Sequence, residues 1–72
     1  MPNLQLRLKA FASDGIVHIT GIQPGQPLRI YNLTGQLVYS DIAKSSEEQI
    51  PLTMRGVYVV VAGDQTMKIS VF

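Results

Sequence analysis

The segment Gly56-Val57-Tyr58-Val59-Val60-Val61-Ala62, followed by Gly63-Asp64 and then Thr66-Met67-Lys68-Ile69-Ser70-Val71-Phe72, decides how this chain is read. Four valines around a tyrosine favour a strand, because β-branched and aromatic side chains fit a pleated, half-buried surface. A strand apolar on both faces belongs at the centre of its sheet. Glycine tolerates positive φ, so Gly63-Asp64 predicts a tight turn. Beyond it Met67, Ile69 and Val71 alternate with Lys68 and Ser70, the period-two pattern of a strand with one buried face.

The same pattern runs upstream. Leu4, Leu6, Leu8 and Ala10 alternate with Gln5, Arg7 and Lys9, which predicts a first strand over residues 4–10. Asp14-Gly15 is a turn signal, and residues 16–20 form a second strand with Val17 and Ile19 on one face and His18 on the other. Two prolines and two glycines make residues 21–27 a loop. A third strand is expected over residues 28–32 and a fourth over 36–40, with Leu37 and Tyr39 on one face and Val38 on the other. Between them Asn32-Leu33-Thr34-Gly35 reads as a β-turn, with asparagine first and glycine fourth. The polar stretch 41–49 crosses between sheets and ends in a short edge strand near Ile50 and Leu52, where Pro51 fits because it donates nothing to a ladder. Parity is expected to point Val57, Val59 and Val61 at the core with Leu28, Ile30, Val17 and Ile19. Seven short strands with turn signals between them predict an all-β, antiparallel sandwich with little helix.

Seventy-two residues make a single domain, 1–72. Charged residues are 15% of the chain, well under the usual quarter. A surface so low in charge suits a module joined to covalently linked upstream domains. Six basic and five acidic residues leave a net charge of +1 with no basic stripe, so nucleic acid is not an expected partner. No apolar run approaches the ~18 residues that span a bilayer, so membrane insertion is not expected. The first residues lack the basic and apolar regions of a signal peptide, so a signal for export is expected further upstream in a longer chain. Cysteine is absent, which removes disulfides and thiolate metal sites.

Little in the chain suggests chemistry. His18 has no nucleophile, orienting carboxylate or further metal ligand at useful spacing, and reads as a solvent-facing strand residue. Asp14, Asp41 and Asp64 stand apart from one another, whereas calcium takes clustered oxygens. Glu47 and Glu48 are adjacent in a strand and point to opposite faces. Asn32-Leu33-Thr34 matches the N-glycosylation sequon but is accounted for by the turn. Tyr31 and Tyr39 could form a sugar-binding platform, although cross-strand packing explains them too. No catalytic residue, metal or cofactor is assigned, and the chain is not expected to be an enzyme.

The second half resembles a known family. Residues 28–39, Leu28-Arg29-Ile30-Tyr31-Asn32-Leu33-Thr34-Gly35-Gln36-Leu37-Val38-Tyr39, are followed by Ile50-Pro51-Leu52, then Gly56-Val57-Tyr58-Val59-Val60, and finally Lys68-Ile69-Ser70-Val71-Phe72. In order and spacing this is similar to the C-terminal sorting domain of proteins exported by the type IX (Por) secretion system of Bacteroidetes, over residues 13–72. The resemblance implies an immunoglobulin-like sandwich at the end of a larger exported protein. It implies an address read by the outer-membrane secretion machinery, and delivery through the periplasm to the cell surface or the medium. It also implies Gly35, Gly56, Tyr58, Lys68, Ile69, Ser70, Val71 and Phe72 as the sorting residues. Where family members carry a Pro-Asn-Pro-like segment, this chain has Phe11-Ala12-Ser13-Asp14-Gly15; where they end on basic residues, it has Val71-Phe72. The other expectation is a β-sandwich spacer, adhesion or carbohydrate-binding module of a larger surface protein.

Overall fold

A computed structural model describes residues 7–52 and 54–72. They form seven strands: β1 (Lys9–Ser13), β2 (Ile16–Thr20), β3 (Pro27–Asn32), β4 (Leu37–Ile42), β5 (Glu47–Pro51), β6 (Gly56–Ala62) and β7 (Gln65–Val71). All pairings are antiparallel, in a three-stranded sheet of order β1-β2-β5 and a four-stranded sheet of order β4-β3-β6-β7. No helix is present among the described residues. Both sheets contribute to one apolar core. Val17, Ile19 and Ile50 come from the first sheet, and Leu28, Ile30, Tyr58, Val60, Ala62, Ile69 and Val71 from the second, with Leu8, Ile22 and Ala43 from flanking segments.

The turn at Asp14-Gly15 fixes the first hairpin. Both residues have positive φ, 54° and 76°, the geometry of a two-residue turn whose twist matches the strands beside it. Ser13 therefore pairs directly with Ile16, and among the described residues β1 is Lys9–Ser13, running on past the expected end at residue 10. Leu4 and Leu6 lie outside the described residues. The expected parity holds where it can be checked: Leu8 is buried and Ala10 is half-buried against the core. At the other margin of this sheet β5 is an edge strand carrying Pro51, and residues 43–46 carry the chain across from β4 to reach it. Glu47 is exposed and Glu48 half-buried, on opposite faces as expected.

Two parity expectations are overturned. Directly opposed antiparallel residues share a face, and the ladder sets Ile30 against Val60 and Leu28 against Ala62. Tyr58, Val60 and Ala62 therefore enter the core, while Val57, Val59 and Val61 stand half-buried on the outer face. Alternation could not choose, because residues 59–61 are all valine and either set supplies apolar side chains. The second case is a bulge: Ile30 pairs with Tyr39, but Tyr31 pairs with Leu37, leaving Val38 as the extra residue. One inserted residue reverses the faces on either side of it. Tyr39 accordingly packs on the core and Leu37 turns outward beside Tyr31. The central placement of β6, the buried Leu28, Ile30, Val17 and Ile19, and the inward Ile69 and Val71 agree with the sequence reading.

Candidate functional site

One end of the molecule collects most of the residues singled out in the second half of the chain. The ladder between β6 and β7 sets Gly56 against Val71, Val57 against Ser70 and Tyr58 against Ile69. Tyr58 is also opposite Asn32, the last residue of β3. Segments separated by some forty positions in sequence thus meet at the same pole: the Asn32–Gly35 turn, the corner leading into β6, and the end of β7.

Asn32 builds the first of these. Its Oδ1 accepts from the Thr34 N–H (3.0 Å), the Thr34 hydroxyl (2.7 Å) and the Gln36 N–H (2.9 Å), while its Nδ2 donates to Gln36 Oε1 (3.0 Å). The Gly35 N–H closes the turn on the Asn32 carbonyl at 3.0 Å. Asparagine is suited to this because its short amide can substitute for backbone partners. Gly35 has φ 86° with open space around it, so the backbone conformation, not crowding, requires glycine there.

Tyr58 builds the second. Its ring is buried, and its hydroxyl donates to the Met54 carbonyl at 2.7 Å, tying the corner before β6 to the core. Gly56 lies between them with φ 150°. A Cβ at Gly56 would meet only Tyr58 Cε2, at 3.9 Å, which is ordinary contact. Its glycine is again a matter of backbone conformation and does not relieve crowding at the strand start.

Around these supports lies exposed apolar surface. A groove of about 310 Å³ is lined by Leu33, Val38, Met54, Arg55, Gly56 and Tyr58, among others. A second hollow of about 200 Å³ adds Pro51 and Leu52, and a third of about 250 Å³ reaches Gly15 and Phe72. Met54 borders all three. Leu33 is 65% exposed, Met54 72% and Phe72 83%.

The eight residues that the resemblance implies divide by environment. Tyr58, Ile69 and Val71 are buried and act on the surface only through the fold they hold. Lys68 and Ser70 are exposed on the outer face of the four-stranded sheet, away from the core, and Lys68 pairs with Val59 one step beyond Tyr58. Gly35 lies in the turn next to the groove, Gly56 lines the groove, and Phe72 borders the third hollow. Sequence reasoning missed Leu33, Val38, Met54 and Arg55. The available signal was apolar residues where alternation does not require them: a leucine inside a turn and a methionine in a corner.

The other residues considered lie elsewhere. His18 stacks on Phe11, ring centroids 4.8 Å apart and planes 14° from parallel, on the outer face of the three-stranded sheet. Among the described residues no three His, Cys, Asp or Glu side chains gather where they could hold a metal ion. Tyr31 and Tyr39 fall on opposite faces of their sheet because of the Val38 bulge, so they share no platform. Burial, reinforced by the nearby charges of Asp41 and Glu48, raises the Tyr39 phenol above its ordinary value.

The fold and this pole define a small all-β module of two antiparallel sheets, with an apolar groove at one end. The chain belongs to the family described as Domain of unknown function (DUF6383), whose model matches residues 5–71 and so takes in all seven strands. No curated protein and no solved structure matches the chain.

Proposed function

We propose that this chain is an immunoglobulin-like sandwich that serves as a non-catalytic C-terminal sorting domain, directing a larger exported protein across the outer membrane to the cell surface. The observation that carries the reading is the convergence just described. Three of the four stretches through which the chain resembles type IX sorting domains, 28–39, 56–60 and 68–72, are distant in sequence and adjacent in space. Two features support the immunoglobulin-like assignment. Strands one, two and five share a sheet opposite strands three, six and seven, the partition of that fold, with the fourth strand added beside the third. A tyrosine near the start of the sixth strand returns its hydroxyl to backbone four residues upstream, as in a tyrosine corner.

The test is delivery. The whole chain, fused behind a signal-peptide-bearing reporter in a type IX-competent bacterium, is expected to bring the reporter to the surface. Lys68→Glu, an exposed change, is expected to lower delivery without altering the thermal melt. A reporter that stays in the periplasm while an established sorting domain exports it would refute the reading. A second reading, a carbohydrate-binding or adhesion module, draws on one observation: Phe11 is 59% exposed and presents its ring at the edge strand beside His18. Its test is a glycan-array screen in which Phe11→Ala abolishes any binding seen.

A further inference from the structure

We infer that the groove between the Asn32–Gly35 turn and the corner before β6 docks an extended apolar segment of a partner protein that carries a carboxylate. The inference deepens the sorting reading and rests on it for the identity of the partner. Three observations lead to it.

The lining is apolar, and its sole charge among the described residues is Arg55. Arg55 makes no ion pair among the described residues, and Asp14, which borders the third hollow with it, does not line the groove, so an incoming carboxylate finds the guanidinium donors unengaged. The volume, about 310 Å³, lies at the small end of ligand pockets, enough for about two apolar side chains. A second copy of the chain is a poor occupant. The molecule's two shorter extents, 22 and 18 Å, bound an end face at roughly 400 Å², half of the ~800 Å² per partner that stable interfaces bury. A short extended segment needs no more than the groove gives.

The backbone also supports a preformed site. Asn32 fixes one wall through its hydrogen bonds, and the Tyr58 hydroxyl fixes the other through Met54. The exposed side chains Leu33 and Met54 are held out on these two walls, so binding costs little ordering of the main chain.

Two measurements test this. The first titrates the isotope-labelled whole chain with the blocked peptide acetyl-Glu-Leu-Val-Leu-amide, followed by amide shifts. Saturable shifts are expected at Gly35, Met54, Arg55 and Gly56, with a Kd on the order of 1 mM. Glutamine in place of the peptide's glutamate is expected to weaken binding on the order of threefold, as for an exposed ion pair. Absence of saturable shifts, or shifts centred on Phe11 and His18, overturns the groove. Equal binding of the glutamine peptide overturns the carboxylate, and a dimer in sedimentation equilibrium reassigns the groove to a second copy.

The second measurement places Met54→Asp and Leu33→Asp in the reporter fusion. Both side chains are exposed, so melts are expected to be unchanged while delivery falls at least about tenfold. Normal delivery by folded variants overturns the groove as the surface that is read. Should the unmodified chain itself not deliver, the sorting reading fails alone, and the peptide titration still decides the groove.

Discussion

Replacing Val60 with alanine removes two carbons from a side chain with no exposed surface, opposite Ile30 in the ladder. The transfer loss is about 0.8 kcal/mol for each carbon. A cavity of roughly 50 Å³ left behind adds on the order of 1 kcal/mol at about 24 cal/mol per Å³. The expected cost is therefore about 2–3 kcal/mol. That is a large share of the roughly 4–11 kcal/mol that a domain this size commands. Val59→Ala makes the same chemical change one residue away, on the half-buried outer face, where about 0.5–1 kcal/mol of strand preference is at stake. Urea melts of the two variants, read as midpoint shifts at constant slope, compare the positions directly. If Val59→Ala costs as much as Val60→Ala or more, the assigned parity of β6 is wrong, and with it the register that brings Gly56 and Tyr58 to the pole.

Tyr58→Phe removes the hydroxyl bond to Met54 and is expected to cost about 1 kcal/mol by thermal melt, with amide shifts concentrated at Met54 and Arg55. Gly21→Ala sets a Cβ onto the Arg7 carbonyl at a residue with φ 78°, and is expected to be among the most destabilising glycine changes, measurable as a lowered melting temperature. For Tyr39 the folded-state pKa is raised by burial and by Asp41 and Glu48. The stability it contributes is fully present below the ordinary tyrosine value near 10 and is lost as pH rises through the raised folded value. Alkaline melts should steepen there, and Tyr39→Phe should flatten the slope. Calcium or zinc is expected to leave the melting temperature unchanged, because the described residues bring no ligand cluster together.

Strand positions were largely legible because alternation and turn chemistry are local. Asp14-Gly15, Asn32 to Gly35 and Gly63-Asp64 each mark their turn by residues that accept unusual backbone conformations or supply an amide. Faces were legible wherever one parity is polar, as in β2 and β7. They were not legible in β6, where adjacent valines satisfy both parities and only the pairing of Ile30 with Val60 decides. The Val38 bulge is a non-local event for the same reason, since no residue in β4 announces it. The groove was the least legible feature. It is made from Leu33, Val38, Met54 and Arg55, each unremarkable in sequence, which the crossing from β5 to β6 brings together.

Surface delivery in two isogenic strains, one with the type IX outer-membrane translocon and one without it, tests the central claim most directly. The whole chain is fused behind a secreted reporter, and the surface fraction is measured by protease accessibility on intact cells. The sorting account predicts delivery in the first strain and a fall to background in the second, with the reporter folded in the periplasm. Equal delivery in both strains, or none in either, would contradict it.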